Sequence, residues 1–273
     1  MESRVTIECR DGVADVRLAR AGRMNALDDE MFSALLDAGE RLKKESGVRA
    51  IVLSGEGRAF CAGLDVERFQ AIGSGNAGDP HNRLSVGDFE SERFENGANR
   101  FQQAVMIWRE IPAPVIAAIH GVAFGAGLQL ALGCDMRFVT SDARMALLEI
   151  KWGLVPDLGG IALLRGLVRD DVARDLTWSG RIFSGSEAVA VGIGTRVCDD
   201  PRQDALAFAI EIAQKSPHAI QAGKRLLNLA ARSDLSTFLV EESREQAALL
   251  GAHNQIEAVR ANLEQRPPVF QDV

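Results

Sequence analysis

Residues 115–134 read VIAAIHGVAFGAGLQLALGC and carry no formal charge. Twenty uncharged residues approach the length of a membrane-spanning helix, but His120-Gly121 and three further glycines interrupt the run. The segment therefore predicts a buried strand from Val115 to Ile119, a glycine-bearing turn, and a buried helix from Leu128 to Leu132. We expect no membrane span here. The first N–H groups of such a helix would offer a site for a negatively charged oxygen.

Upstream of this stretch the pattern alternates between strands and helices. Val5 to Arg10 and Val13 to Leu18 flank Asp11-Gly12 and predict a β-hairpin. Asp28 to Lys44 has apolar residues at helical spacing, and Val48 to Leu53 predicts a buried strand. Alternating strands and helices predict an α/β fold with parallel pairing.

Downstream the chain becomes helical. Arg100 to Glu110 predicts a helix and Met136 to Val139 a strand. We predict an α/β core over residues 1–200 and a helical region over 201–273, with helices over 206–212, 220–231, 238–250 and 256–263. Residues 71–97 are rich in glycine and charge and predict a surface loop. Its G-x-G-x-x-G at 73–78 lacks the flanking strand and helix of a dinucleotide site.

The composition of the 273 residues excludes several classes of partner. The formal net charge is −7, whereas nucleic-acid binding needs clustered cations, so we expect no nucleic-acid partner. The four cysteines form no C-x-x-C pair, which argues against a disulfide framework or a metal site. The N-terminal residues show no basic leader followed by an apolar run, so we expect a cytoplasmic protein.

The chain contains no tyrosine, so carboxylates, four histidines, lysines, thiols and backbone groups remain as candidates for its chemistry. Glu149 and Asp157 lie eight positions apart in an otherwise apolar stretch, and apolar surroundings raise the pKa of a carboxyl toward neutrality. Two structural alternatives stand beside this interpretation. Asp157 alone is better explained as the N-cap of a helix that starts near Gly159. For Glu149, a solvated charge at a strand end is the open alternative.

Five motifs in order resemble the crotonase superfamily of enoyl-CoA hydratases and isomerases, over nearly the whole chain. They are Met24-Asn25-Ala26-Leu27, the turn Ala59 to Asp65, the turn Ile119 to Gly127 with Gly133-Cys134-Asp135 after it, Glu149 to Gly160, and Gly180 to Ala188. The resemblance implies a spiral of ββα turns followed by carboxy-terminal helices that build a homotrimer, often paired into a hexamer. It also implies an acyl-CoA thioester substrate, with no metal or redox cofactor.

By position in that family, the backbone N–H groups of Leu64 and Ala126 would form the oxyanion hole for the thioester carbonyl. One preorganised donor of this kind is worth about 3–4 kcal/mol in a transition state. The resemblance places the remaining substrate-binding residues along the CoA groove and beside the acyl group: Asn25, Ala26, Leu27, Ala62, Gly63, Asp65 and Gln129.

The sequence departs from the family's hydratases at one catalytic position. Those enzymes use two glutamates; Glu149 matches the second, but Gln129 stands where the first would be. An amide orients water but cannot accept its proton. Family enoyl isomerases work with one glutamate at the position of Glu149, and dienoyl isomerases add an aspartate at the position of Asp157. Those dienoyl isomerases also have an acid where Gln129 lies, and in family aryl-CoA dehalogenases the Asp157 position holds a nucleophile.

The sequence thus favours double-bond isomerisation of an enoyl- or dienoyl-CoA, with Glu149 and Asp157 as catalytic residues. A hydratase is the first alternative, with Gln129 orienting the water. A non-catalytic acyl-CoA binder that keeps only the oxyanion hole is the second.

Overall fold

The computed structural model describes residues 3–65 and 93–273, so most of the predicted 71–97 loop and its glycine motif lie outside the described residues. The strands in chain order are β1 Val5–Arg10, β2 Val13–Leu18, β3 Ala50–Gly55, β4 Val115–Ile119, β5 Val122–Phe124, β6 Met136–Val139, β7 Arg144–Ala146, β8 Phe183–Ser184 and β9 Arg196–Val197. The described α-helices are α1 Asp29–Lys44, α2 Arg100–Glu110, α3 Ala126–Gly133, α4 Gly160–Leu164, α5 Asp170–Ser179, α6 Gly185–Val191, α7 Pro201–Ala213, α8 Pro217–Ala230, α9 Leu235–Leu249 and α10 His253–Leu263.

The larger sheet has the strand order β1-β2-β3-β4-β6-β9. The predicted hairpin β1–β2 is antiparallel, and every later pair in this sheet is parallel. This confirms the α/β class and the parallel pairing predicted from the alternation of elements. A smaller sheet, β5-β7-β8, lies beside it.

Helices cover the larger sheet on both sides. Apolar residues of α1, α2 and α3 join one core cluster with the strands, whereas Ala205, Ala209 and Ala213 of α7 pack into a second cluster with Val52, Ile116 and Phe138. The first helix of the predicted C-terminal region therefore packs directly on the sheet. The division at residue 200 stays a prediction.

The chain crosses from the larger sheet to the smaller one at His120-Gly121. Sequence reasoning predicted only a turn after β4, and the structure adds the three-residue strand β5 before α3. A Cβ on Gly121, whose φ is +63°, would lie 2.0 Å from the carbonyl oxygen of Arg58. Only glycine fits this crossing. Any side chain would overlap the neighbouring backbone, and the residue that carries it would have to adopt a left-handed backbone conformation.

The helices have local signals at their starts. The Asp28 carboxylate accepts a hydrogen bond from the N–H of Met31 at the start of α1. At α2, Asn99 and Gln102 form a reciprocal capping box. Among residues 3–65 and 93–273 we find no helix with the length and apolar character needed to cross a membrane.

We predict that Gly121→Ala destabilises the protein by about 3 kcal/mol or more, the sum of overpacking and a left-handed alanine. The matched control is Gly223→Ala in α8, where an added Cβ meets none of the described atoms within 4 Å. That control should gain up to about 1 kcal/mol from helix propensity. Urea unfolding of both variants checks this, and equal stability of Gly121→Ala and wild type would contradict it.

Candidate active site

The two glycine-bearing turns pair through their backbones. The N–H of Phe60 donates to the His120 carbonyl at 3.0 Å, and the N–H of Cys61 donates to the Val122 carbonyl at 3.1 Å. In return, the N–H of Phe124 donates to the Cys61 carbonyl at 3.1 Å. The turns therefore run side by side, which brings together two parts of the chain more than fifty residues apart.

Glycines let these turns approach more closely than side chains would allow. A Cβ on Gly63 would lie 2.6 Å from the Phe124 carbonyl oxygen and 3.7 Å from the backbone nitrogen of Ala126. A Cβ on Gly127 would lie 2.5 Å from the Cys61 carbonyl oxygen. The segment that carries Leu64 thus lies directly against the start of α3.

The N–H of Leu64 is oriented by a parallel bridge to Leu27. The N–H of Leu27 donates to the Gly63 carbonyl at 2.8 Å, and the N–H of Asp65 donates to the Leu27 carbonyl at 3.1 Å. In a parallel ladder these bonds use the residues on either side of Leu64. The N–H of Leu64 itself therefore faces away from Leu27.

The N–H of Ala126 is one of the free donors at the start of α3. Gly125 is the N-cap, with φ +49°, and no side chain caps this end of the helix. Its own N–H donates to the Ala146 carbonyl at 2.8 Å, and its carbonyl accepts from Gln129. As the first helical residue, Ala126 has no acceptor within the helix. The structure thus brings together the two predicted oxyanion donors.

Glu149 lies at this same point. It begins a 3₁₀ turn, Glu149–Trp152, and is only 9% exposed. A Cβ on Gly125 would lie 3.2 Å from one carboxylate oxygen, Oε1 of Glu149. The alternative of a solvated charge at a strand end is therefore wrong. The carboxylate lies next to the residue that precedes the Ala126 donor.

Gln129, on α3, is fully buried and holds the Glu149 carboxylate. Its Nε2 donates to Glu149 Oε1 at 2.7 Å. Its Oε1 accepts the N–H of Leu158 at 2.8 Å and the N–H of Gly160 at 3.1 Å. Two N–H groups facing one side fix the amide orientation, because the reversed amide would point donors at donors. The Gln129 oxygen is therefore occupied by the protein rather than offered to a ligand.

The second oxygen of Glu149, Oε2, is buried and has no hydrogen-bond partner among the described residues. Burial raises the pKa of Glu149 above its ordinary value, and the nearby Asp157 carboxylate also raises it, whereas the hydrogen bond from Gln129 works against the rise. One oxygen is thus held by a hydrogen bond and the other has no donor from the described residues, which suits a carboxylate that exchanges protons.

Asp157 is half-buried, and burial raises its pKa above the ordinary value. The expectation that it caps the next helix is wrong. The N-cap of α4 is Gly159, whose backbone is in the left-handed conformation, and no side chain caps this helix. Instead, the Asp157 backbone is held in place. Its carbonyl accepts from Gln102 Nε2 at 3.1 Å, and the next residue, Leu158, donates to Gln129. Gln129 therefore ties the segment of Asp157 to Glu149.

The predicted groove residues around Asn25 are mostly buried. Ala26, Leu27 and Asp65 are each less than 9% exposed, while Ala62 and Leu64 are half-buried. The Asn25 side chain is fully buried and donates to the carbonyls of three loop residues: Glu56, Ala59 and Phe60. The structure thus gives Asn25 the role of holding the first turn, where the sequence predicted a place in the CoA groove.

Two residues near the site were missed by the sequence reasoning. Gln102, which holds the Asp157 carbonyl, is the third helical residue after Asn99, so the capping pattern marks it as structured but not as a neighbour of Asp157. Arg20 donates to Asp65 and to the Ala26 carbonyl. No local pattern signals the contact with Asp65, because the two residues are 45 positions apart in sequence.

Cys61 lies in the first of the two turns and is fully buried. Burial raises the pKa of the Cys61 thiol to about 12, so its thiolate is scarce near neutral pH. Within residues 3–65 and 93–273, no group of three or more His, Cys, Asp or Glu side chains is placed to hold a metal ion.

Comparison with known proteins identifies the family. A family model described as enoyl-CoA hydratase/isomerase matches residues 8–273. The mitochondrial methylglutaconyl-CoA hydratase of Mus musculus is 31% identical over 266 residues, covering 95% of this chain and 79% of that protein. The mitochondrial Δ(3,5)-Δ(2,4)-dienoyl-CoA isomerase of Mus musculus is 30% identical over 263 residues, covering 93% and 77%.

A solved structure of an enoyl-CoA hydratase from Mycobacterium smegmatis superposes with a TM-score of 0.85 at 29% identity, over 98% of this chain and 99% of that chain. This confirms the crotonase-like α/β fold with its carboxy-terminal helices. The chain is about equally similar in sequence to a hydratase and to an isomerase, so sequence identity does not distinguish the two reactions. The chain belongs to the enoyl-CoA hydratase/isomerase family.

Proposed function

We propose that this protein isomerises the double bonds of enoyl- or dienoyl-CoA thioesters. The observation that carries the proposal is the bond from Gln129 Nε2 to Glu149 Oε1, which leaves one carboxylate where a hydration site would have two. The raised pKa of Asp157, on the segment tied to Gln129, supplies a second proton-carrying group. The CoA is part of the substrate, and the proposed reaction uses no other cofactor.

The chemistry for a 3-enoyl thioester needs one carboxylate. Ionised Glu149 removes a proton from C2, and the electron pair moves into the thioester carbonyl. The carbonyl oxygen then accepts hydrogen bonds from the N–H groups of Leu64 and Ala126. Protonated Glu149 then returns the proton at C4, which gives the 2-enoyl product. The unpartnered Oε2 of Glu149 suits this transfer, because no protein donor has to be displaced first.

A 3,5-dienoyl thioester needs a proton at a more distant carbon. Glu149 takes the C2 proton, and neutral Asp157 delivers one at C6, which gives the 2,4-dienoyl product. Exchange with solvent then restores both carboxyls. The raised pKa of Asp157 favours its neutral form at the start of the reaction.

Hydration of a 2-enoyl thioester is the second candidate, since the mouse methylglutaconyl-CoA hydratase is as similar as the isomerase. In this reaction Glu149 alone would activate the water and protonate C2. Gln129 gives little help, because its oxygen already accepts two backbone N–H groups.

We further propose that the protein works as a homotrimer or a pair of trimers in the cytoplasm. Large apolar side chains on the C-terminal helices support an assembly, since Leu227, Leu235 and Leu263 are each more than 70% exposed.

We predict that Glu149→Gln lowers kcat for 3-enoyl-CoA isomerisation by about 10³-fold, in the range that general acid–base groups contribute. Substrate binding should change little, because the amide keeps the shape. Absorbance at the conjugated thioester band and deuterium uptake at C2 measure this. A variant that keeps wild-type turnover would contradict the mechanism, and a wild type that binds acyl-CoA without exchange would favour the non-catalytic alternative.

We predict that Asp157→Asn separates the two isomerisations. Turnover of 3,5-dienoyl-CoA should fall by about 10²-fold, because an amide delivers no proton to C6, while turnover of 3-enoyl-CoA stays within about threefold. Parallel assays on both substrates, with hydration of crotonyl-CoA as a third, check the assignment. Equal losses on both isomerisation substrates, or crotonyl-CoA hydration as the fastest wild-type reaction, would contradict it.

We predict that Gln129→Glu raises the pKa of Glu149 further. The change removes the amide donor that lowers this pKa and adds a like charge beside it. Because Glu149 acts as a base when ionised, the rising limb of kcat/KM with pH should move to higher pH. Carbon-13 NMR titration of the carboxyl, assigned with Glu149→Gln, gives the pKa directly. A shift to lower pH would contradict the account.

A further inference from the structure

Arg20 joins the two segments that orient the Leu64 N–H. Its guanidinium Nη1 donates to the Asp65 carboxylate at 2.5 Å and to the Ala26 carbonyl at 3.0 Å. Ala26 precedes Leu27, and Asp65 follows Leu64, and these two segments form the parallel bridge described above. One guanidinium nitrogen thus spans both sides of the bridge.

The Arg20 side chain is itself held in place. It is 15% exposed, and its second nitrogen, Nη2, lies 3.3 Å from the Asp28 carboxylate. Its backbone N–H donates to Asn25 Oδ1 at 2.9 Å, and its carbonyl accepts the N–H of Asn25. A guanidinium bound on several sides cannot rotate toward a ligand without breaking these contacts.

From these contacts we infer that Arg20 is a positioning residue for the oxyanion hole: it fixes the Leu64 N–H through Asp65 and Ala26. The inference rests on the proposed use of Leu64 as a donor to the thioester carbonyl. It applies to isomerisation, hydration and proton exchange alike, because each passes through the same polarised carbonyl.

Arg20→Met removes one partner of a buried ion pair and leaves the Asp65 carboxylate, which is 4% exposed, without that partner, so we expect this variant to lose stability. The ion pair also fixes the position of the Leu64 N–H, and a displacement of about 1 Å in a catalytic group costs roughly 10²-fold in rate. We therefore expect loss of Arg20 to lower kcat of the folded enzyme in addition to its stability, and the assays use protein that circular dichroism shows to be folded.

The test compares Arg20→Met with Arg4→Met. Arg4 belongs to the same ion network, with its Nη2 at 2.8 Å from both Asp28 and Glu30, but none of these contacts involves the segments that form the Leu64 bridge. We predict that Arg20→Met lowers kcat by about tenfold or more with KM within about threefold, and that Arg4→Met leaves both unchanged. Equal effects of the two changes would overturn the inference.

A second comparison excludes a direct contact with the CoA phosphates. The loss in Arg20→Met should be the same with the CoA thioester and with the short N-acetylcysteamine thioester of the same acyl group, which has no phosphate. A loss confined to the CoA thioester would mean that Arg20 binds phosphate and would overturn the inference.

A spectroscopic readout separates this inference from the proposed reaction. An aromatic enoyl-CoA such as 4-dimethylaminocinnamoyl-CoA absorbs at longer wavelength when its carbonyl is polarised. The shift on binding should be smaller in Arg20→Met than in wild type and Arg4→Met, even if isomerisation is absent. An unchanged shift would overturn the inference. If Arg20→Met is unstable, Arg20→Lys carries the test with a smaller loss in the same direction, because it keeps the charge but not the planar fork.

Discussion

The backbone pairing of two glycine-bearing turns is the constraint on which the site depends. Phe60 and Cys61 bond to His120 and Val122, and this pairing sets Leu64 beside the start of α3. Hydrogen bonds alone would not bring the turns close enough. The missing side chain of Gly63 permits the close approach, since a Cβ there would lie 2.6 Å from a carbonyl oxygen. Two N–H donors from distant parts of the chain therefore converge without any side chain between them.

The electrostatics of the site depend on two hydrogen-bond donors of α3. In the proposed reaction its first residue supplies a donor for a developing negative oxygen, while its fourth, Gln129, supplies a donor to the carboxylate of Glu149. Burial raises the pKa of Glu149, and the Gln129 amide limits the rise. A second carboxylate at position 129 would raise it further, because it would put a like charge where the amide donor now lies. The single glutamine thus holds the Glu149 carboxylate without adding a charge beside it.

Much of the fold was predictable because it depends on local pattern. The strands Val115–Ile119 and Met136–Val139 and the helix Arg100–Glu110 match their predicted bounds, since apolar periodicity and capping residues mark them. β3 begins and ends two residues later than predicted, because strand ends follow pairing rather than composition. The short strand β5, the pairing of Gln102 with Asp157 and the ion pair of Arg20 with Asp65 were not predictable, since each depends on a partner distant in sequence. Asp157 looked like a helix cap for the same reason: its sequence neighbours suit a cap, while its tertiary surroundings do not.

The most direct test is a crystal structure with a non-reactive 3-enoyl-CoA analogue bound. The account predicts the thioester oxygen at about 3 Å from the backbone nitrogens of both Leu64 and Ala126. It also predicts Oε2 of Glu149 facing C2, with Gln129 still bonded to Oε1. A carbonyl oxygen bound elsewhere, or a Glu149 carboxylate turned away from C2, would contradict it.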